Sequence, residues 1–180
     1  PEVEDPVKLR NALDRGMVKI GQFPGSRALL RCHVSGDFDT VAYTRSWIQV
    51  LQWRPRTVFW AYTRSWRIPE LLPALEDLRR LPNVQVFASM DWAIWNAGEL
   101  PPGWFRLPCG KVEPVPGAWR PAFMGLPPYP IRKYFILCPE QRPEGDPKRV
   151  ASCGTCGLSG FCWGKNTKRA ITGVWFKTHW

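Results

Sequence analysis

Apolar positions first recur at helical spacing in the stretch Pro6 to Met17, where Val7, Leu9, Leu13 and Met17 follow Asp5-Pro6, a capping residue and a first-turn proline. The pattern then changes period. Ala28 to Val34 reads as a strand stopped by Ser35-Gly36-Asp37. Asp39 or Thr40 can cap a second helix running to about Gln52, with Val41, Trp47, Ile48 and Leu51 on its apolar side, and Arg54-Pro55-Arg56 breaks it. Thr57 to Tyr62, rich in β-branched and aromatic residues, reads as a second strand. A third helix is expected over Pro69 to Leu81, with Leu71, Leu72, Leu75 and Leu78 as its stripe, and a third strand over Val84 to Ser89.

Residues 28 to 89 thus alternate strand, helix, strand, helix, strand with short connections, the pattern of a parallel β/α sheet. The fold class expected is α/β: a partial β/α barrel or a parallel sheet, with a Cys-rich, loop-rich carboxyl-terminal metal-binding segment. Beyond Asp91, prolines at 101, 102, 108, 114, 116, 121, 127 and 128 allow only short elements, such as Ala118 to Met124. Lys133 to Leu137 and Ile171 to Phe176 read as further strands. In this reading residues 1–130 form the β/α domain with its proline-rich end, and residues 131–180 a Cys-rich segment packed on the same domain. One hexapeptide occurs twice, Ala42-Tyr43-Thr44-Arg45-Ser46-Trp47 and Ala61-Tyr62-Thr63-Arg64-Ser65-Trp66. The first copy falls in an expected helix and the second at the end of a strand, whereas a structural repeat would place both in the same element.

Composition adds two facts. The chain of 180 residues carries 11 tryptophans and a net charge of +10. Core packing accounts for most tryptophans in the plain reading, while arginine and tryptophan together also suit stacking on unpaired bases with phosphate pairing. The charge is unevenly spread. From Pro147 to Trp180 there is no acidic residue, but Lys148, Arg149, Lys165, Lys168, Arg169 and Lys177 are present. Such a segment favours a polyanion, with nucleic acid first and an acidic host or phage protein as the competing partner. Nucleic-acid contacts are expected from Lys148, Arg149, Lys165, Lys168 and Arg169, with Trp163 available for stacking. No apolar run approaches the roughly 20 residues of a membrane span, so no membrane partner is expected. The opening, Pro-Glu-Val-Glu-Asp-Pro, has no basic-then-apolar leader pattern, which places the expected setting in the cytoplasm of an infected or host cell.

The cysteines carry the strongest chemical signal. Cys138-x14-Cys153-x2-Cys156-x5-Cys162 sets four thiolates close together in a glycine-containing, loop-like stretch. Four thiolates suit tetrahedral zinc or a four-iron four-sulfur cluster, and nothing in the spacing separates the two. His179 is a substitute ligand if one cysteine is unused. Cys32, inside a strand, reads as core, and Cys109 as a loop residue. Separately, the carboxyl ends of the expected strands carry His33, Asp37, Tyr62, Arg64 and Asp91, where α/β sheets place their sites. As an enzyme, the protein would use Asp37 as a base or amino-group ligand and Arg64 as an anion clamp. The sequence has no phosphate loop, dinucleotide fingerprint, nucleophile elbow, zinc-protease helix or deaminase signature.

Two blocks of the chain resemble a known family. Arg31-Cys32-His33-Val34-Ser35-Gly36-Asp37-Phe38, then Tyr43 and Trp47, then Phe59-Trp60-Ala61-Tyr62-Thr63-Arg64-Ser65, resembles the phage gene-product-88-like family. So does the ending, Cys138-Pro139, then Ser152-Cys153-Gly154-Thr155-Cys156-Gly157-Leu158, Cys162-Trp163 and His179. The resemblance implies a protein of phages and mobile elements. This chain departs from the pattern where Leu158-Ser159-Gly160-Phe161 lengthens the gap before Cys162. A wider likeness is to radical-SAM barrels, in which a turn comparable to Ser35-Gly36-Asp37 holds the amino group of S-adenosylmethionine. The chain has no Cys-x3-Cys-x2-Cys, so the cluster of that chemistry would have no ligands.

Overall fold

The structure is a computed structural model that describes residues 4–19, 28–33, 36–129, 131–147, 149 and 173–177. Two compact units are present, Pro1–Val86 and Phe87–Trp180. In the first, α1 (Pro6–Lys19), α2 (Val41–Gln52) and α3 (Leu72–Arg80) accompany β1 (Ala28–Cys32), β2 (Thr57–Thr63) and the start of β3 (Val84–Met90). The second holds the rest of β3, α4 (Trp92–Asn96), β4 (Trp104–Arg106), β5 (Val112–Pro114), β6 (Arg120–Met124), β7 (Phe135–Leu137) and β8 (Gly173–Phe176). Six strands form one sheet in the order β1-β2-β3-β6-β8-β7, and β4 and β5 form a separate antiparallel ribbon. The β1/β2, β3/β6, β6/β8 and β8/β7 pairs all run parallel. The fold is therefore α/β with a mostly parallel sheet.

Local chemistry explains the boundaries. Thr40, in extended backbone, caps α2 by accepting from the Tyr43 N–H at 3.0 Å, and Thr40 in turn donates to Glu4. α3 starts at Leu72, three residues later than the leucine pattern predicts. Pro73 is the reason: without an N–H and with a ring that clashes with the preceding turn, it fits only the first turn of a helix. Pro69 to Leu71 form a turn instead, with the Leu71 and Leu72 amides on the Ile68 carbonyl. The expected strand Lys133 to Leu137 is likewise shortened, because Ile131–Tyr134 forms a 3₁₀ turn before β7 begins at Phe135.

β2 alternates little, since buried Phe59, Trp60 and Ala61 follow one another, and every residue of β3 is buried. Near-continuous apolar runs are what a parallel strand covered on both faces requires. Within the second unit, β8 lies between β6 and β7 at Gly173. A Cβ there would stand 2.5 Å from the Pro121 carbonyl oxygen and 2.8 Å from the Phe135 ring, so glycine is required by close approach.

The amino-terminal end of β2 is held by one side chain. The Asn83 carboxamide nitrogen donates to the carbonyls of Leu51 at 3.2 Å, Arg54 at 3.1 Å and Thr57 at 2.9 Å. The Phe59 N–H donates to the Asn83 carbonyl at 2.9 Å. Asn83 thus shares its two N–H donors among three carbonyls at the end of α2 and the turn into β2, of which those of Leu51 and Arg54 also accept from the Arg54 and Thr57 amides. Asn83→Ala leaves them with no side-chain donor and is expected to lower unfolding stability by about 1–3 kcal/mol, read as a shifted urea midpoint at unchanged slope.

Candidate functional site

At the carboxyl end of β2, Asp37 acts as a clasp. Its Oδ1 accepts from the Phe38 N–H at 2.7 Å and from the Thr63 hydroxyl, and its Oδ2 accepts from the Arg64 N–H at 2.6 Å. Thr63, fully buried, also accepts from the Ser65 N–H at 2.9 Å, and Ser65 donates to the Phe38 carbonyl at 2.5 Å. The loop after β1 and the turn after β2 are therefore tied by a closed set of hydrogen bonds. A carboxylate offers about four acceptor positions, and Asp37 has committed three of them to backbone and Thr63.

His33 stands beside this clasp. Its backbone is left-handed, with φ of +57°, a conformation that few non-glycine residues adopt and for which histidine and asparagine are enriched. The imidazole Nε2 lies 2.9 Å from the Tyr43 hydroxyl, and the ring packs against Phe38 with centroids 4.5 Å apart. Nδ1 is buried with no hydrogen-bond partner among the described residues. Burial lowers the His33 pKa below its ordinary 6.5, although Asp37 and Asp39 pull it upward, and burial raises that of Tyr43. Both rings are thus held neutral. Tyr62, half-buried, carries the Arg31 guanidinium over its ring at 5.2 Å. Arg64 itself is exposed.

Of the residues proposed for the sheet edge, the structure joins Asp37 to Arg64 through the Arg64 backbone, and it joins His33 to Tyr43 rather than to Asp37 by a hydrogen bond. Asp91 caps α4, accepting from the Ile94 N–H at 3.0 Å. Thr63 is the residue that the sequence reading missed. It sits in the second copy of the repeated hexapeptide, whose threonine, serine and tryptophan are buried in both copies although one copy is helical and the other ends a strand.

Among the cysteines, Cys32 is core as expected, and burial pushes its thiol up to about 12, which removes it as a nucleophile near neutral pH. Cys109 is exposed. Cys138 is buried directly after β7, and its N–H donates to the Trp175 carbonyl at 2.9 Å. That bond fixes the backbone at Cys138. Cys153, Cys156, Cys162 and the substitute His179 lie outside the described residues, as do Lys148, Trp163, Lys165, Lys168 and Arg169. Arg149 is exposed, its N–H on the Asp146 carbonyl at 2.9 Å.

The first unit also holds a cleft of about 380 Å³ at the other end of β2, lined by Arg10, Trp53, Arg54 and Arg56 among others. The sequence reading treated Arg54-Pro55-Arg56 only as a helix breaker. A tryptophan followed closely by two arginines, Trp53-Arg54-Pro55-Arg56, was the available signal.

Fold and sites together define an α/β protein with a mostly parallel sheet, a strand-end carboxylate clasp and an arginine-lined cleft. The gene product 88 family model matches residues 9–163, and the chain belongs to that family of phage proteins. It matches no curated protein and no solved structure. The wider likeness to radical-SAM barrels therefore has no support from these comparisons.

Because folding holds His33 neutral, the unfolded chain binds more protons than the folded chain at pH values from the ordinary histidine pKa of 6.5 down to the lowered folded value. Stability then falls as pH drops through that window and is retained above it. Thermal midpoints measured from pH 7.5 to 5 should show this fall. His33→Asn, which tolerates the left-handed backbone, should flatten the slope relative to the parent whatever it does to absolute stability.

Proposed function

We propose that the protein is a binding protein rather than an enzyme. Its basic carboxyl-terminal segment engages nucleic acid, and one metal centre on Cys138, Cys153, Cys156 and Cys162 holds the loops of that segment. The observation that carries the binding reading is the Asp37 clasp. A base or amino-group ligand needs a carboxylate with free acceptor capacity, and Asp37 spends most of its capacity on Phe38, Thr63 and Arg64. The part-buried pairing of His33 with Tyr43, with the imidazole pKa lowered by desolvation, further separates the histidine from acid–base work on a substrate.

Support for the metal centre is the cysteine spacing, together with the fixed backbone of Cys138 at the end of β7. Zinc and a four-iron four-sulfur cluster fit the same four thiolates, and the metal would supply folding energy to the segment that carries them. Lysines and arginines around the cysteines, with no acid from Pro147 onward, would offset the charge of the thiolates and present the remainder to phosphates.

Metal analysis and a visible spectrum on the full chain should give about one centre per chain, colourless for zinc and brown for iron–sulfur. Cys156→Ala should lose the metal, and full occupancy in the Cys153→Ala/Cys156→Ala double variant would refute the centre. Gel shifts across a salt series should show affinity falling steeply as salt rises. Lys165→Glu, Lys168→Glu and Arg169→Glu combined should weaken binding by roughly tenfold or more at low salt. If the parent binds no nucleic acid, an acidic protein partner takes its place.

A further inference from the structure

The cleft at the amino-terminal end of β2 is built around a buried charge that its own neighbours serve incompletely. Arg54 is 8% exposed. One arm of its guanidinium pairs with Asp14, the other faces the Met17 sulfur at 3.9 Å, and Nε is buried without a partner among the described residues. A thioether is a weak acceptor, so the guanidinium has unused donor capacity in a place where water is scarce. Three arginines, Arg10, Arg54 and Arg56, line the cleft, against Asp14 as its carboxylate. Burial and the nearby Arg10 both lower the Arg54 pKa, the direction expected where positive charge is crowded. An anion in the cleft would relieve the crowding and take up the donor capacity that the Met17 thioether uses weakly.

Beside these cations stands an aromatic plane. Trp53 is 47% exposed although most other described tryptophans are buried or half-buried. The Arg10 guanidinium lies over its ring at 5.2 Å, which fixes the indole by cation–π attraction. The turn that carries Trp53, Arg54 and Arg56 is the one pinned by Asn83 through the carbonyls of residues 51, 54 and 57. The backbone that carries Trp53, Arg54 and Arg56 is thus fixed before any ligand arrives, which reduces the entropy lost on binding. A volume of about 380 Å³ falls within the range of small-ligand sites.

We propose that this cleft binds a nucleotide unit, with its phosphate on Arg10, Arg54 and Arg56 and its base stacked on Trp53. A free mononucleotide and the 5′-phosphorylated end of a strand share that chemistry. The inference does not rest on the nucleic-acid reading of the carboxyl-terminal segment, since a free mononucleotide would satisfy it alone.

Isothermal titration of the full chain with adenosine 5′-monophosphate tests it, with adenosine and ten-residue oligothymidylates bearing or lacking a 5′-phosphate as further titrants. Saturable binding of the monophosphate at one site is expected, with adenosine at least tenfold weaker. Trp53→Ala and Arg56→Glu alter exposed positions and should each weaken the monophosphate by about tenfold or more with an unchanged thermal midpoint. If the phosphorylated oligomer displaces the monophosphate and the unphosphorylated one does not, the strand end is the source. If neither displaces it, the free nucleotide is. The triple Glu variant at Lys165, Lys168 and Arg169 should leave this titration unchanged, so failure of either reading is seen apart from the other. Absence of saturable binding by both phosphorylated titrants, or binding unchanged in either Trp53→Ala or Arg56→Glu, would overturn the proposal.

Discussion

A buried parallel strand has a structural debt at each end, where backbone groups leave the ladder before they reach water. In β2 one polar side chain meets that need at each end. Asn83 gathers three carbonyls where the chain enters the strand, and Asp37 gathers two amides and a hydroxyl where it leaves. Each residue comes from a neighbouring segment, the start of β3 for Asn83 and the loop after β1 for Asp37. The same contacts that satisfy β2 therefore also lock the connections around it. The geometry of the strand-end clasp and of the arginine-lined cleft both follow from this arrangement.

The consequence for chemistry differs between the two ends. Asp37 is consumed by its structural work, so the polar edge that invites an enzymatic reading is largely closed on itself. His33 is drawn toward Tyr43 and Phe38 by ring packing and held neutral by burial. At the Asn83 end the locking groups are backbone carbonyls. The side chains of Trp53 and Arg56 stay exposed, Arg54 pairs with Asp14, and among the cleft's lining residues three arginines face that one carboxylate. Rigid backbone with unspent side-chain charge is the arrangement of a binding site, whereas spent charge is that of a scaffold.

Much of the first unit was legible because its signals are local. The Thr40 cap, the two periods of apolar residues and the turn residues between them each depend on a few neighbouring positions. Pro73 moved the start of α3, although proline's preference for a first turn was readable in the sequence. Strand order was less accessible: nothing local announces that β8 enters between β6 and β7, and the requirement for glycine at 173 becomes visible once Pro121 and Phe135 are beside it. The site residues divide in the same way. Asp37 stood out as a polar residue at a strand end, but its partners Thr63 and Arg64 lie about 26 residues away, beyond what spacing can reveal. Asn83 lies in the short connection between the expected third helix and third strand, and nothing local there announces its reach to the carbonyls of residues 51, 54 and 57.

The tryptophans show how the same composition can support opposite functional readings. Trp47, Trp60, Trp66, Trp104 and Trp119 are buried, so core packing claims them and their number is no measure of a stacking surface. Arginine–aromatic pairing is also spent partly inside the fold, as where Arg120 lies over Phe87 at 5.0 Å. Exposure alone does not select a site either. Trp92 is 48% exposed, yet its ring meets Phe123 edge-on at 6.3 Å. Trp53 differs because exposure, a guanidinium on its ring, a buried arginine with an unused donor and a pinned backbone coincide there. Each of these features occurs singly elsewhere in proteins for structural reasons, and it is their convergence on one cleft that turns a basic, tryptophan-rich composition into a specific expectation about a ligand.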